Sequence, residues 1–83
     1  MREYEVIVEF SFNPKIERFV IRFLDGKNYT LDIIDLPKKF QSKKPQWENA
    51  YISADKSSLV IKAGSEIREI PSYIIHSKGN LVL

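Results

Sequence analysis

The sequence predicts a β-rich α+β domain: a single twisted antiparallel sheet of five to six short strands with a short C-terminal helical turn. Three observations predict it. Apolar and polar residues alternate at period two through most of the chain, the pattern of half-buried strands. Turn residues punctuate the alternation at Asn13-Pro14, Asp25-Gly26, Leu36-Pro37, Asp55 to Ser58 and Ala63-Gly64-Ser65. Helix-end signals occur in one segment, between Ser72 and Gly79.

The first strand places Tyr4, Val6, Val8 and Phe10 on a core face. Glu3, Glu5 and Glu9, with Ile7 and Ser11, fall on the opposite face. Asn13-Pro14 ends it, because Pro14 has no N–H for a ladder.

Arg18 to Asp35 reads as a hairpin whose register follows from the letters. Phe19, Ile21 and Phe23 alternate with Arg18, Val20, Arg22 and Leu24; beyond Asp25-Gly26, Tyr29, Leu31 and Ile33 alternate with Asn28, Thr30 and Asp32. A two-residue Asp25-Gly26 loop would pair Ile21 with Thr30 and set the apolar residues on opposite faces, which a half-buried hairpin does not tolerate. A three-residue loop, Leu24-Asp25-Gly26, pairs Phe23 with Lys27, Ile21 with Tyr29 and Phe19 with Leu31. The faces then coincide, and Gly26 takes the left-handed position that this loop requires. Arg18 and Arg22 lie outward, within reach of the glutamates of the first strand.

Lys38 to Gln46 has no sustained period and reads as a loop with room for a helical turn. Trp47 to Ser53 leads into a fourth strand. Leu59 to Lys62 is the fifth and Glu66 to Ile70 the sixth, with Ile67 and Glu69 on one face and Ile70 on the other. Ser72 as a cap and Gly79 as a C′ residue predict one or two helical turns. Three fates are open to the tail Asn80 to Leu83: packing, an added edge strand, or disorder.

Eighty-three residues predict one domain, residues 1–83. A chain of this size buries roughly 60–65% of its unfolded surface, enough for one modest core. With no cysteine there is no disulfide scaffold and no thiol chemistry, which fits a reducing compartment. Glu3, Glu5 and Glu9 interrupt the N-terminal apolar run, so no signal-peptide core or membrane span is expected, and the chain reads as cytoplasmic. The net charge of +2 does not by itself imply a nucleic-acid partner.

Chemistry is sparse. His76 is the only histidine and has no partner at metal-ligand spacing; it reads as a surface or half-buried structural residue. The three glycines sit at turns, so no loop cradles a phosphate. The serines have no neighbouring base, and Asp25, Asp32 and Asp35 read as solvated. No catalytic residue, metal or cofactor is expected, and the chain does not read as an enzyme.

Two surfaces remain. Lys38, Lys39, Lys43 and Lys44 surround Phe40, and Trp47 comes next; lysines attract phosphates and rings stack on unpaired bases. The plainer reading is that the lysines solubilise a loop while Phe40 and Trp47 cover the core. The second surface is apolar: Val20 and Leu24 on the outer face, with Ile74 and Ile75 in the C-terminal segment. It suits a protein partner or a second copy, as in a dimer. Burial within the same chain is the competing reading for the C-terminal segment.

The run Phe19-Val20-Ile21-Arg22-Phe23-Leu24-Asp25-Gly26, then Leu31-Asp32-Ile33 and Leu36, with Ile70-Pro71-Ser72-Tyr73 as a closing segment, resembles a family of small bacterial domains of unknown function. That family includes the N-terminal domain of a nitrogen-assimilation-regulator-like protein, and some members are thought to sit beside a second small protein in antitoxin-like pairs. The resemblance spans roughly Val6 to Ile75. Lys62-Ala63-Gly64-Ser65 departs from it, standing where many members carry a tryptophan-proline-asparagine-glycine turn. The resemblance assigns no functional residue. The chain is therefore expected to be a small non-catalytic interaction or regulatory module that binds a protein partner or itself. Single-stranded nucleic-acid binding along Lys38 to Trp47 is the alternative.

Overall fold

A computed structural model describes residues 1–83. The chain is β-rich α+β, with seven strands in two antiparallel sheets rather than one sheet of five or six. Strands β1 (Ile7–Asn13), β2 (Arg18–Phe23), β3 (Asn28–Asp32) and β7 (Asn80–Leu81) form a four-stranded sheet in the order β1-β2-β3-β7. Strands β4 (Tyr51–Ile52), β5 (Ser58–Ala63) and β6 (Glu66–Pro71) form the other, and helix α1 (Ser72–Lys78) joins β6 to β7.

A lone sheet would leave its apolar face open to water, and covering it with a second layer removes that cost. Phe19, Ile21, Phe23 and Leu31 from the first sheet share one core with Leu59, Ile61 and Ile70 from the second. The connecting residues Ile33, Leu36 and Phe40 fill it, and Ile75 of α1 plugs one end. The sheets are tied where the Ile7 N–H donates to the Lys56 carbonyl, 2.8 Å.

The β2–β3 hairpin has the expected register: Phe19 opposite Leu31 and Ile21 opposite Tyr29. The Phe23 N–H donates to the Lys27 carbonyl at 3.0 Å, and Gly26, at φ +86°, donates back to Phe23 at 2.9 Å. The Asp25 carboxylate accepts the Lys27 N–H, 3.0 Å, and fixes the loop. On the outer face Arg18 pairs with Asp32 and Arg22 with Glu9.

The first strand differs from its expected form. Glu3–Glu5 is a 3-10 turn, and β1 begins at Ile7. Ile7 lies opposite Phe23 while Glu9 lies opposite Arg22, so Val8–Glu9 form a bulge. The extra residue inverts the alternation. Ile7 is buried and Val8 exposed, the reverse of the expected faces, while Phe10 and Phe12 beyond the bulge face the core.

The C-terminal segment is also corrected. Ile75 is 0% exposed and Ile74 packs partly against the core, so neither belongs to an open apolar surface. On a single helical turn, both lie toward the core that α1 caps. Val20 and Leu24 are exposed as expected. Ser72 does not cap α1; its hydroxyl donates between the Glu5 and Ser57 carbonyls, 2.7 and 2.8 Å away. Gly79 ends the helix in extended backbone, φ −88°. Its requirement is space: a Cβ there would lie 2.5 Å from the Ile75 carbonyl oxygen and 2.7 Å from that of Thr30. That close approach lets the tail pair as β7 with β3, Tyr29 opposite Leu81. No helix is long and apolar enough to cross a membrane.

Candidate recognition site

The largest recess is a groove of about 810 Å³ between the β2–β3 turn, the Glu3–Glu5 turn and α1. Tyr4, Tyr29, Tyr73 and His76 supply its rings, and Glu5, Asp25 and Lys27 its charges. Each is positioned by a local feature of the fold. Asp25 and Lys27 belong to the three-residue loop and its closing residue, and Tyr29 stands near the start of β3. Tyr73 and His76 stand three residues apart on α1, on neighbouring turns of one face.

His76 organises the rings. Its plane stacks on buried Phe23 at 4.6 Å and 25°. Tyr29 stands nearly perpendicular to it at 4.6 Å and 85°, and Tyr4 at 5.9 Å and 74°. Nε2 lies 2.7 Å from the Tyr4 carbonyl oxygen. A carbonyl only accepts, so Nε2 carries the proton and donates. The histidine is half-buried, as its isolation in the sequence suggested, and it pins the N-terminal turn to the helix.

The lysine loop is built differently. Phe40 is 7% exposed and belongs to the core, which corrects its place among candidate nucleic-acid contacts. Trp47 is half-buried, edge-on to Phe19 at 6.2 Å. The small recess beside it carries Glu17 and Glu48 and no lysine. Lys43 hydrogen-bonds and ion-pairs with Glu66. Arg68 donates to the Ser42 carbonyl at 2.7 Å and to Glu66 at 3.1 Å. The Glu66 carboxyl is held below its ordinary pKa, first by the Lys43 hydrogen bond and then by that of Arg68. These bonds tether a segment in which Lys43 and Lys44 both adopt the left-handed region, φ 61° and 49°, a conformation that needs support from its surroundings. Lys39 lies 5.2 Å from the Phe40 ring centroid. Lys38, Lys39 and Lys44 are exposed and outside every ion pair.

Of the residues expected to bind, Val20, Leu24, Lys38, Lys39, Lys43 and Lys44 are at the surface, on separate faces and loops. The groove went unrecognised in the sequence because its parts are remote along the chain. One signal was available: Tyr73 and His76 at helical spacing on a segment with helix-end residues. No group of three or more His, Cys, Asp or Glu side chains is placed to hold a metal ion. No protein-family model, curated protein or solved structure matches the chain.

Proposed function

We propose that this chain is a small non-catalytic recognition module that binds a protein partner through the His76 groove. One observation carries the reading. The groove's rim exposes Tyr4 and Tyr73, the latter 68% exposed, around charges that the fold leaves without ion-pair partners. Large amphipathic rings with polar tips are the side chains that protein interfaces favour. No hydrogen bond joins His76 to Ser57, Ser72 or Ser77 in the groove, so no serine there is paired with a base. His76 donates to a backbone carbonyl and is packed between rings. A cysteine-free chain with a regulatory role suits the cytoplasm, and the resemblance to small bacterial domains, some of which are thought to sit beside a second small protein, points the same way.

A photo-cross-linking amino acid in place of Tyr73, compared with the same amino acid in place of Lys44, tests the proposal in cells that express the chain. Cross-links to one protein, or to a second copy of this chain, from position 73 and not from 44 are expected. Cross-links from 44 alone, or from neither, contradict it.

A second reading rests on Lys38, Lys39 and Lys44, which remain available to phosphates. It requires binding of single-stranded nucleic acid that weakens steeply with salt and is lost on changing Lys39 and Lys44 to Glu, which leaves the Lys43–Glu66 pair in place.

A further inference from the structure

We infer that the His76 groove receives an arginine side chain of the partner protein. The inference rests on the proposed reading of the groove and names the chemistry it recognises. Two features of the recess converge on a planar cation. Tyr4, Tyr29, Tyr73 and His76 line the recess, and the Tyr4 and Tyr29 rings stand at 74° and 85° to His76, so the lining rings lie in more than one plane. Such rings attract a guanidinium through the ring quadrupole and by stacking.

The second feature is charge. The chain as a whole carries +2, yet the groove brings two carboxylates, Glu5 and Asp25, against one ammonium, Lys27. No ion pair uses any of the three. Asp25 Oδ1 accepts the Lys27 N–H, and no side-chain hydrogen bond uses Asp25 Oδ2 or the Glu5 carboxylate. Unpaired carboxylates and aromatic rings lining one recess are a combination a guanidinium can satisfy together, its edge donating to a carboxylate while its plane lies on a ring. A lysine ammonium is a compact charge, more strongly hydrated, and cannot do both equally well. An anionic ligand would meet two carboxylates with only Lys27 in its favour.

The test uses the full chain labelled with ¹⁵N and four blocked tripeptides, glycine-X-glycine, with X arginine, lysine, glutamine or glutamate. The arginine peptide is expected to move the amide resonances of Tyr4, Asp25, Tyr29, Tyr73 and His76, and to bind more tightly than the other three. Glu5→Gln with Asp25→Asn should weaken it roughly fivefold, as should Tyr73→Ala. All three positions lie on the groove's rim, and Asn at 25 keeps an acceptor for the Lys27 N–H, so these variants should fold. If the glutamine or glutamate peptide moves the same resonances as strongly, the arginine assignment falls while the groove stands as a recognition surface. If no peptide moves them, the arginine assignment also falls, and the cross-linking at position 73 decides the broader reading independently.

Discussion

In the lysine loop the aromatic rings turn inward and a cation finds an internal partner. Phe40 is in the core, Trp47 lies edge-on to Phe19, and Lys43 and Arg68 share Glu66. In the His76 groove Tyr4 and Tyr73 stand at the surface, and Glu5, Asp25 and Lys27 are left outside every ion pair. Both regions combine aromatic and charged residues, the loop basic and the groove with two carboxylates against one ammonium, and the fold organises them differently. On the proposed reading, recognition belongs where exposed rings and unpaired charges share one recess, and structure where Phe40 and the Lys43–Glu66 pair are engaged internally.

The largest effect that sharpens this contrast is on stability. Phe40→Ala should destabilise the chain by about 3 kcal/mol in denaturant melts, the usual cost of emptying a buried phenylalanine site. A loss under about 1 kcal/mol would mean that the loop is not anchored in the core. Gly79→Ala should cost about 2 kcal/mol, because the new methyl meets two backbone carbonyls that cannot both move without disturbing α1 or β7. Hydrogen exchange should then show β7 amides losing protection before those of β2; unchanged protection would contradict the close approach. Gly26→Val should cost roughly 1–2 kcal/mol, from left-handed backbone alone, since nothing lies within 4 Å of the added carbon. Untouched stability would refute the three-residue loop.

Asp55 gives a smaller, pH-dependent effect. Hydrogen bonds from the Ser57 and Ser53 hydroxyls and the Ser57 N–H hold its carboxyl below the ordinary value of 3.8. A group with a depressed folded pKa stabilises fully above its unfolded pKa, and that contribution is lost as pH falls through the lower folded value. Asp55→Asn should therefore flatten part of the stability loss below about pH 3.8; identical acid profiles would show that these bonds do not favour the charged form. The smallest stability effect belongs to the groove: Tyr73→Ala should change stability by less than about 0.5 kcal/mol.

The β2–β3 hairpin was legible in the sequence because only a three-residue loop puts Phe19, Ile21, Tyr29 and Leu31 on one face, and the structure has that register. The turns at Asn13-Pro14, Asp25-Gly26, Asp55 to Ser58 and Ala63-Gly64-Ser65 and the extents of β5, β6 and α1 were legible for similarly local reasons, whereas β3 ends at Asp32, before a 3-10 turn over Ile33–Asp35, and not at Leu36-Pro37. The face of β1 was not. A one-residue bulge at Val8–Glu9 swaps inside for outside, and alternating letters on both sides of a bulge look like one continuous strand. The division into two sheets was hidden because strand pairing is non-local: nothing in β5 or β7 states which edge it joins. The groove was hidden for the same reason, since Tyr4, Asp25, Tyr29 and His76 meet only after both layers close.

The proposed binding of a protein partner by the groove, and not by the lysine loop, is tested most directly by quantitative affinity capture from cells that express the chain. Three baits suffice: wild type, Tyr73→Ala, and the Lys39→Glu, Lys44→Glu double variant, which leaves the Lys43–Glu66 pair intact. A groove that carries the partner predicts a protein retained by the wild type and by the lysine variant and lost with Tyr73→Ala. Retention by Tyr73→Ala with loss from the lysine variant would contradict it.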